Sequence, residues 1–318
     1  MTLNVSYSCA STFQECEYKG CLRYFLKAPK DIDYVEPDYF KIGNAFHKVL
    51  EITKHCPNAF SSINFKGIVK DYGLDEIEDG GKIMAMLRVY WAFHSQIPLK
   101  VIACEHKFTT TISNGIIDAI MKEDGSSSEN YLKGDKDAWW IIDLKTTGKP
   151  EEALPSRLHR DPQMCLYAAV APSFAEKYGL APEKFAGIRY REVSKPLQRY
   201  KAGEEFSSWT TRCQASFREI VVLKEDMSLK ESFDCFARVV DRIHEIESQL
   251  ADTGKILALK NPKACLNFGK SCEYFSVCNN ATFTSNLQNS KVIRLENGNL
   301  INNMVMKKDV ECLIEEFK

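Results

Sequence analysis

Asp143 and Lys145 stand two residues apart in the run Ile141-Ile-Asp-Leu-Lys-Thr-Thr147. In a strand, side chains at i and i+2 share one face, so this carboxylate and this ammonium project side by side. Asp118, in Gly115-Ile-Ile-Asp118, falls on the expected partner strand and can lie across from them. Two carboxylates held close repel each other unless a cation lies between them, and hard oxygen ligands select Mg2+ or Mn2+. A divalent ion beside a lysine is equipped to hydrolyse a phosphodiester. The ion lowers the pKa of a bound water and shields the phosphate, while Lys145 orients the nucleophile or stabilises the transition state. Asp-x-Lys alone describes many surface ion pairs; further residues in order set this one apart. Upstream, Gly43 and His47 are four apart, which puts a small packing residue and a nitrogen ligand on one helix face. Downstream, Gln163 and Tyr167 have the same spacing and can contact substrate or Lys145.

The pattern around these residues predicts the elements that carry them. Ile42, Phe46, Val49, Leu50 and Thr53 recur at helical spacing within residues 41–55, and residues 82–93 read the same way. Between them the acidic stretch 71–79 reads as a solvated face or loop. From Lys100 the runs VIACEHKFTTTI, GIIDAIM and AWWIIDLKTT are strands of one sheet, the last two joined as antiparallel neighbours by the polar residues 122–137. DPQMCLYAAVA opens with Asp and Pro and reads as a helix, FAGIRYREV as one more strand, and residues 228–250 as a long amphipathic helix.

The chain has 318 residues, 44% of them hydrophobic, enough for a large core, and shows no internal repeat. Lys and Arg number 42 against 43 Asp and Glu, so no global field recruits polyanions and nucleic-acid contact must come from local basic stretches. No run of about 18 apolar residues is present. The start MTLNVSYSCASTFQEC lacks the basic and then apolar pattern of a signal peptide, so the expectation is a cytoplasmic protein with no membrane contact. In that reducing compartment twelve cysteines are buried hydrophobes or metal ligands, not a disulfide framework. Cys265, Cys272 and Cys278 stand at C-x6-C-x5-C in a segment poor in aliphatics, which suggests Zn2+ or an iron–sulfur cluster and leaves one ligand to find.

Residues 184–201 hold Lys184, Arg189, Arg191, Lys195, Arg199 and Lys201 against the single acid Glu192, with Phe185, Tyr190 and Tyr200 interleaved. Such a stretch suits phosphates and the faces of unpaired bases, and suits equally a strand with a solvated basic side. Lys19, Arg23, Lys27 and Lys30 form a second basic group. No GxxxxGK[ST] motif is present, so a helicase activity would come from a partner.

Gly43-Asn-Ala-Phe-His47, Gly115-Ile-Ile-Asp118, Asp143-Leu-Lys145-Thr-Thr and Gln163-x-x-x-Tyr167 together resemble the PD-(D/E)XK nucleases, in particular the RecB-like branch with its CRISPR-associated and phage exonucleases. The resemblance spans roughly residues 1–280 and implies an α/β fold, a mixed central sheet flanked by helices with a restriction-endonuclease-like core. It places a helical insertion around 50–98, a cysteine segment at 255–280 and a separate tail at 281–318. It implies that His47, Asp118 and Asp143 hold Mg2+ or Mn2+, that Lys145 is catalytic, and that Gln163 and Tyr167 belong to a substrate-side helix, with Glu105 behind the ligands. It also implies a [4Fe–4S] cluster held by one N-terminal and three C-terminal cysteines. Cys16 is then the fourth ligand beside Cys265, Cys272 and Cys278, with Cys21 the alternative and Zn2+ the alternative metal. The expected function is metal-dependent DNA cleavage, as an exonuclease on single-stranded ends in recombination, repair or phage or CRISPR DNA processing, with Arg189, Arg191, Lys195, Arg199 and Lys201 on the DNA. Two other readings stand beside it: a nuclease-like subunit that binds DNA within a larger assembly, and a zinc-stabilised structural protein.

Overall fold

The computed structural model describes residues 5–31, 34, 36–97, 99–110, 113–124, 137–148, 151–267, 270–279, 295–296 and 299–300. The first elements in chain order are β1 (Val5–Ser6), α1 (Tyr7–Glu15), α2 (Glu17–Gly20), α3 (Asp38–Thr53), α4 (Phe65–Asp71) and α5 (Glu78–His94). The sheet region follows with β2 (Leu99–Thr109), β3 (Ser113–Glu123), β4 (Trp139–Thr147), α6 (Pro162–Ala175), β5 (Phe185–Ser194), α7 (Phe206–Arg212) and β6 (Phe217–Leu223). Then come α8 (Leu229–Thr253), β7 (Leu266–Asn267), β8 (Lys270–Ser271) and α9 (Phe275–Asn279). Most of the hairpin connection 122–137 and most of the tail 281–318 lie outside the described residues.

Six strands form one mixed sheet in the order β1-β3-β4-β5-β6, with β2 on β3. The pairs β3–β4 and β5–β6 are antiparallel, whereas β4–β5 is parallel. The α/β architecture with a mixed central sheet is therefore the one expected from the sequence. β6 was not anticipated: FREIVVL carries two charged residues in its first three, which hides a strand whose polar side chains have buried partners.

The chain divides into two compact units, one of residues 36–108 and 116–233 and the other of residues 1–35, 109–115 and 234–318. In the first, β4 and β5 alternate beyond a register shift at Trp139/Trp140. Leu144 and Val193 join the apolar faces of α3, α4 and α5 in one core, built on Phe46, Leu50, Ile83 and Tyr90. Trp139 and Phe185 turn the other way, and Trp139 meets Phe174 of α6 with ring centroids 6.1 Å apart. Helices thus cover both faces of the buried sheet centre.

Each helix near the site has a local reason to start or stop where it does. Asp161 caps α6 by accepting from the backbone N–H groups of Gln163 (2.9 Å) and Met164 (3.1 Å), and Pro162 occupies the first helical position, where its missing N–H costs nothing. Asp75 accepts from Ile77 and Glu78 ahead of α5, so part of the acidic stretch is a cap as well as a solvated loop. α3 ends on Lys54 in the left-handed region.

In the second unit, α1 is capped by Ser6, whose oxygen accepts from Cys9 N at 3.1 Å. Distant segments are stitched together here. Glu17 accepts from Arg242 and from Leu259 N, Tyr18 N donates to Leu259 O, and Asn261 Nδ2 donates to Glu15 O. Farther on, Glu273 pairs with Arg23 and Lys30.

Candidate active site

Gly43 is where α3 meets the end of β4. A Cβ there would come within 2.5 Å of Thr146 Oγ1, so a larger residue would push the helix away from the strand. One turn further along α3, His47 Nδ1 lies 3.5 Å from Asp118 Oδ1 on β3. The antiparallel pairing of β3 with β4 ends at Ala119 opposite Ile142, which leaves Asp118 and Asp143 as the next residue on each strand. Beyond that pair the Leu144 N–H donates to the Asp118 side chain at 2.7 Å. β4 meanwhile stays paired with β5 as far as Thr147, which keeps Asp143 and Lys145 rigid.

Asp143 is 1% exposed. Its Oδ1 accepts from Lys145 Nζ at 2.9 Å, while Oδ2 is buried with no hydrogen-bond partner. An orphaned buried acceptor costs about 1–3 kcal/mol, a cost that a cation relieves. Next to it, His47, Glu105 and Asp118 offer one ligand atom each, all within 4.8 Å of one another. One nitrogen and two carboxylate oxygens fit a hard divalent ion; Asp143, whose Oδ2 is unanswered, is not one of these three. Glu105, expected behind the ligands, thus stands beside His47 and Asp118 among the groups that could hold an ion. It holds φ at +48° inside β2, a left-handed conformation that a non-glycine residue rarely adopts mid-strand.

The electrostatics follow from this crowding. Burial, with the Asp118 charge added, lifts the Asp143 carboxyl to about 6. Burial also lifts Glu105, again with Asp118 contributing. For Asp118 burial acts upward, but the hydrogen bond and charge of His47, with Lys145, outweigh it and hold the carboxyl low. Burial disfavours the Lys145 ammonium, yet Asp143 and Asp118 overcome this and keep it charged well above the usual lysine range. Tyr167 is held protonated by burial and by Asp143. Its hydroxyl donates to Ile116 O at 2.7 Å and accepts from Gln163 Nε2 at 2.7 Å, so the pair expected on one helix face is mutually bonded there.

Two of the basic residues are elsewhere. Arg189 and Arg191 are fully buried on the sheet face toward α5, the opposite face from Tyr190 and Glu192. Both bind Glu219 of β6 at 2.8 Å; Arg191 also donates to Tyr90 Oη, and Arg189 lies over the Trp140 ring. They cannot reach a phosphate, which corrects their placement on the DNA. The reason is the strand not anticipated: β6 sets Glu219 opposite Arg191. Arg199 and Lys201 are exposed, and Lys195 lies close to the Thr146 end of β4. In the second basic group, Lys19 pairs with Glu15, and Arg23 and Lys30 pair with Glu273.

In the other unit Cys16, Cys265, Cys272 and Cys278 line one cavity, together with Tyr18, Lys19 and Asn261. Asn261 N–H points to Cys16 Sγ at 3.4 Å. Cys21 is fully buried and does not line this cavity.

A mixed sheet whose parting strands present two acids and a lysine, with a histidine brought in by a helix, defines a metal-dependent nuclease. The sequence model described as the PD-(D/E)XK nuclease superfamily matches residues 4–279, and the chain belongs to that superfamily. No curated protein matches the sequence significantly.

Proposed function

We propose that this protein is a Mg2+- or Mn2+-dependent deoxyribonuclease of the RecB-like branch, acting as an exonuclease on single-stranded ends during recombination, repair or phage or CRISPR DNA processing in the cytoplasm. The observation that carries this reading is the unanswered Oδ2 of buried Asp143 beside the His47, Glu105 and Asp118 group. These four residues would hold the ion, which when bound supplies Lewis-acid activation of water and shielding of the phosphate charge. Lys145 keeps its charge and, anchored by Asp143, is placed to face the scissile phosphate and stabilise the charge that develops there. Tyr167, bonded to Gln163 and to the β3 backbone, keeps α6 in register with the acids. Arg199 and Lys201 are assigned to the phosphates beyond the site, and a helicase or adaptation partner would supply strand opening.

We also assign a structural [4Fe–4S] cluster to Cys16, Cys265, Cys272 and Cys278. Their shared cavity supports it. Among the described residues no three cysteine sulfurs lie within 4.8 Å of one another, whereas a tetrahedral zinc thiolate site would set them about 3.8 Å apart.

The test is cleavage of end-labelled single- and double-stranded DNA by anaerobically purified protein with Mg2+, Mn2+ or EDTA. Metal-dependent degradation should fall by at least about a thousandfold in Asp143→Asn and Lys145→Ala, the scale on which lost transition-state charge stabilisation is felt. Binding without turnover under either metal would instead establish a DNA-holding subunit.

A further inference from the structure

α3 carries more than His47. Residues at i, i+4 and i+8 of a helix lie along one stripe, and here that stripe reads Tyr39, Gly43, His47. At 1.5 Å per residue Tyr39 stands roughly 12 Å from the ligand histidine, off the end of β4. It pairs with its neighbour Phe40, ring centroids 4.2 Å apart, and the two are 48% and 47% exposed. Adjacent aromatic rings this open to water form a small apolar patch on a helix otherwise committed to the core.

Lys195 sits between this aromatic pair and the acids. Lys195 is 9% exposed, its Nζ donates to the Thr146 carbonyl at 3.2 Å, and among the described residues no carboxylate answers it. The same Nζ lies 5.6 Å from the Tyr39 ring centroid and 3.5 Å from where a Gly43 Cβ would be. Buried charges are ordinarily paired, so an ammonium with a lone carbonyl partner at the edge of a phosphodiesterase site is short of an anion. Burial without compensation also draws its pKa down to about 8, leaving the cation ready to gain from one. Arg199 and Lys201, exposed a few residues on, extend the positive charge outward.

Resting on the nuclease reading above, we propose that Lys195, Tyr39 and Phe40 form a subsite for one unpaired nucleotide beside the scissile bond, Lys195 taking its phosphate and the aromatic pair stacking on its base. Base-paired DNA cannot offer that base face, so the subsite selects single-stranded ends. Stacking tolerates every base, so it selects no sequence.

The test uses full-length protein carrying Asp143→Asn, in EDTA, binding fluorescein-labelled single strands, blunt duplexes and single strands with one abasic position walked along the oligonucleotide. Adding Tyr39→Ala with Phe40→Ala should weaken single-strand binding by about tenfold or more. It should leave duplex binding far less affected and lose its effect on the strand whose abasic position falls in the subsite. Tyr39→Trp should retain binding, and Lys195→Gln should weaken it and flatten its salt dependence by about one phosphate contact. Equal affinity of parent and double variant for single strands, or equal losses on duplex and single strand, would overturn the subsite. In parallel, metal-dependent cleavage by protein with Asp143 intact tests the nuclease reading separately. Failure there with the binding pattern intact would remove the catalysis and leave the nucleotide subsite standing.

Discussion

Asp143 shows how far the sheet has gone to place one side chain. The fold buries the carboxyl, answers one oxygen with Lys145 and leaves the other without a donor. Its pKa of about 6 lies above the ordinary 3.8, so between these values the folded protein holds a proton that the unfolded chain has released. The metal-free protein should therefore lose stability as pH rises from about 4 to about 6. Glu105, raised from 4.5 for the same reason, adds to the slope, while Asp118, held low, titrates below this window. A divalent ion prefers the carboxylates, so the stability added by Mg2+ should grow over the same interval. Urea denaturation in EDTA and in Mg2+ across this range measures both effects. Asp143→Asn should shallow the EDTA slope, and a slope it leaves unchanged would place the titrating group elsewhere.

At the scale of elements, β5 and β6 hold a buried charge network between them. Glu219 bridges two guanidinium groups buried beneath α5, and Glu123 also faces Arg189 at 3.5 Å. Glu219→Ala should lower stability by about 3–5 kcal/mol, because it removes the carboxylate that pairs with buried Arg191 and leaves buried Arg189 with Glu123 at 3.5 Å. It should leave the salt dependence of DNA binding as it was, whereas a steep change in that dependence would return Arg189 and Arg191 to the binding surface. Helices α3, α5, α6 and α8 were legible because their apolar residues recur at helical spacing or follow an Asp-Pro start. Strands β3 and β4 were legible from their unbroken β-branched and aromatic runs. The acids, the lysine, His47, Gln163 and Tyr167 were legible by order and spacing. What escaped depends on which face a residue takes. The alternation in FAGIRYREV does not say whether Arg or Tyr points inward, since Glu219 is 28 residues beyond Arg191. Glu105 gave no sign of its left-handed backbone, and Tyr39 and Phe40 lie ahead of the helical pattern of residues 41–55, with Lys195 brought beside Tyr39 only by the fold.

At the scale of the whole molecule, one unit is closed by the two distant parts of the chain. The segment around Cys16 is bonded to residues 259–261, and Asp31 accepts from Ser276 N. Cys16→Ser should therefore act locally. Hydrogen exchange should quicken over residues 7–25 and 256–279 while α5 and β4 keep their protection, with iron content falling in the same sample. Uniform loss of protection over both units would contradict a role confined to this one.

That closure also sets a timetable for biosynthesis. The strand, helices and cysteines of the first 35 residues leave the ribosome while their partners from Asp234 onward are still unmade, roughly 200 residues later. At about 5–20 residues per second the wait is on the order of 10–40 s. Through that interval Phe13, Phe25 and Cys16, all buried in the finished protein, have no interior to enter. The emerging segment thus exposes apolar side chains until then, and any metal destined for the four-cysteine cavity must arrive after Cys278 has been made.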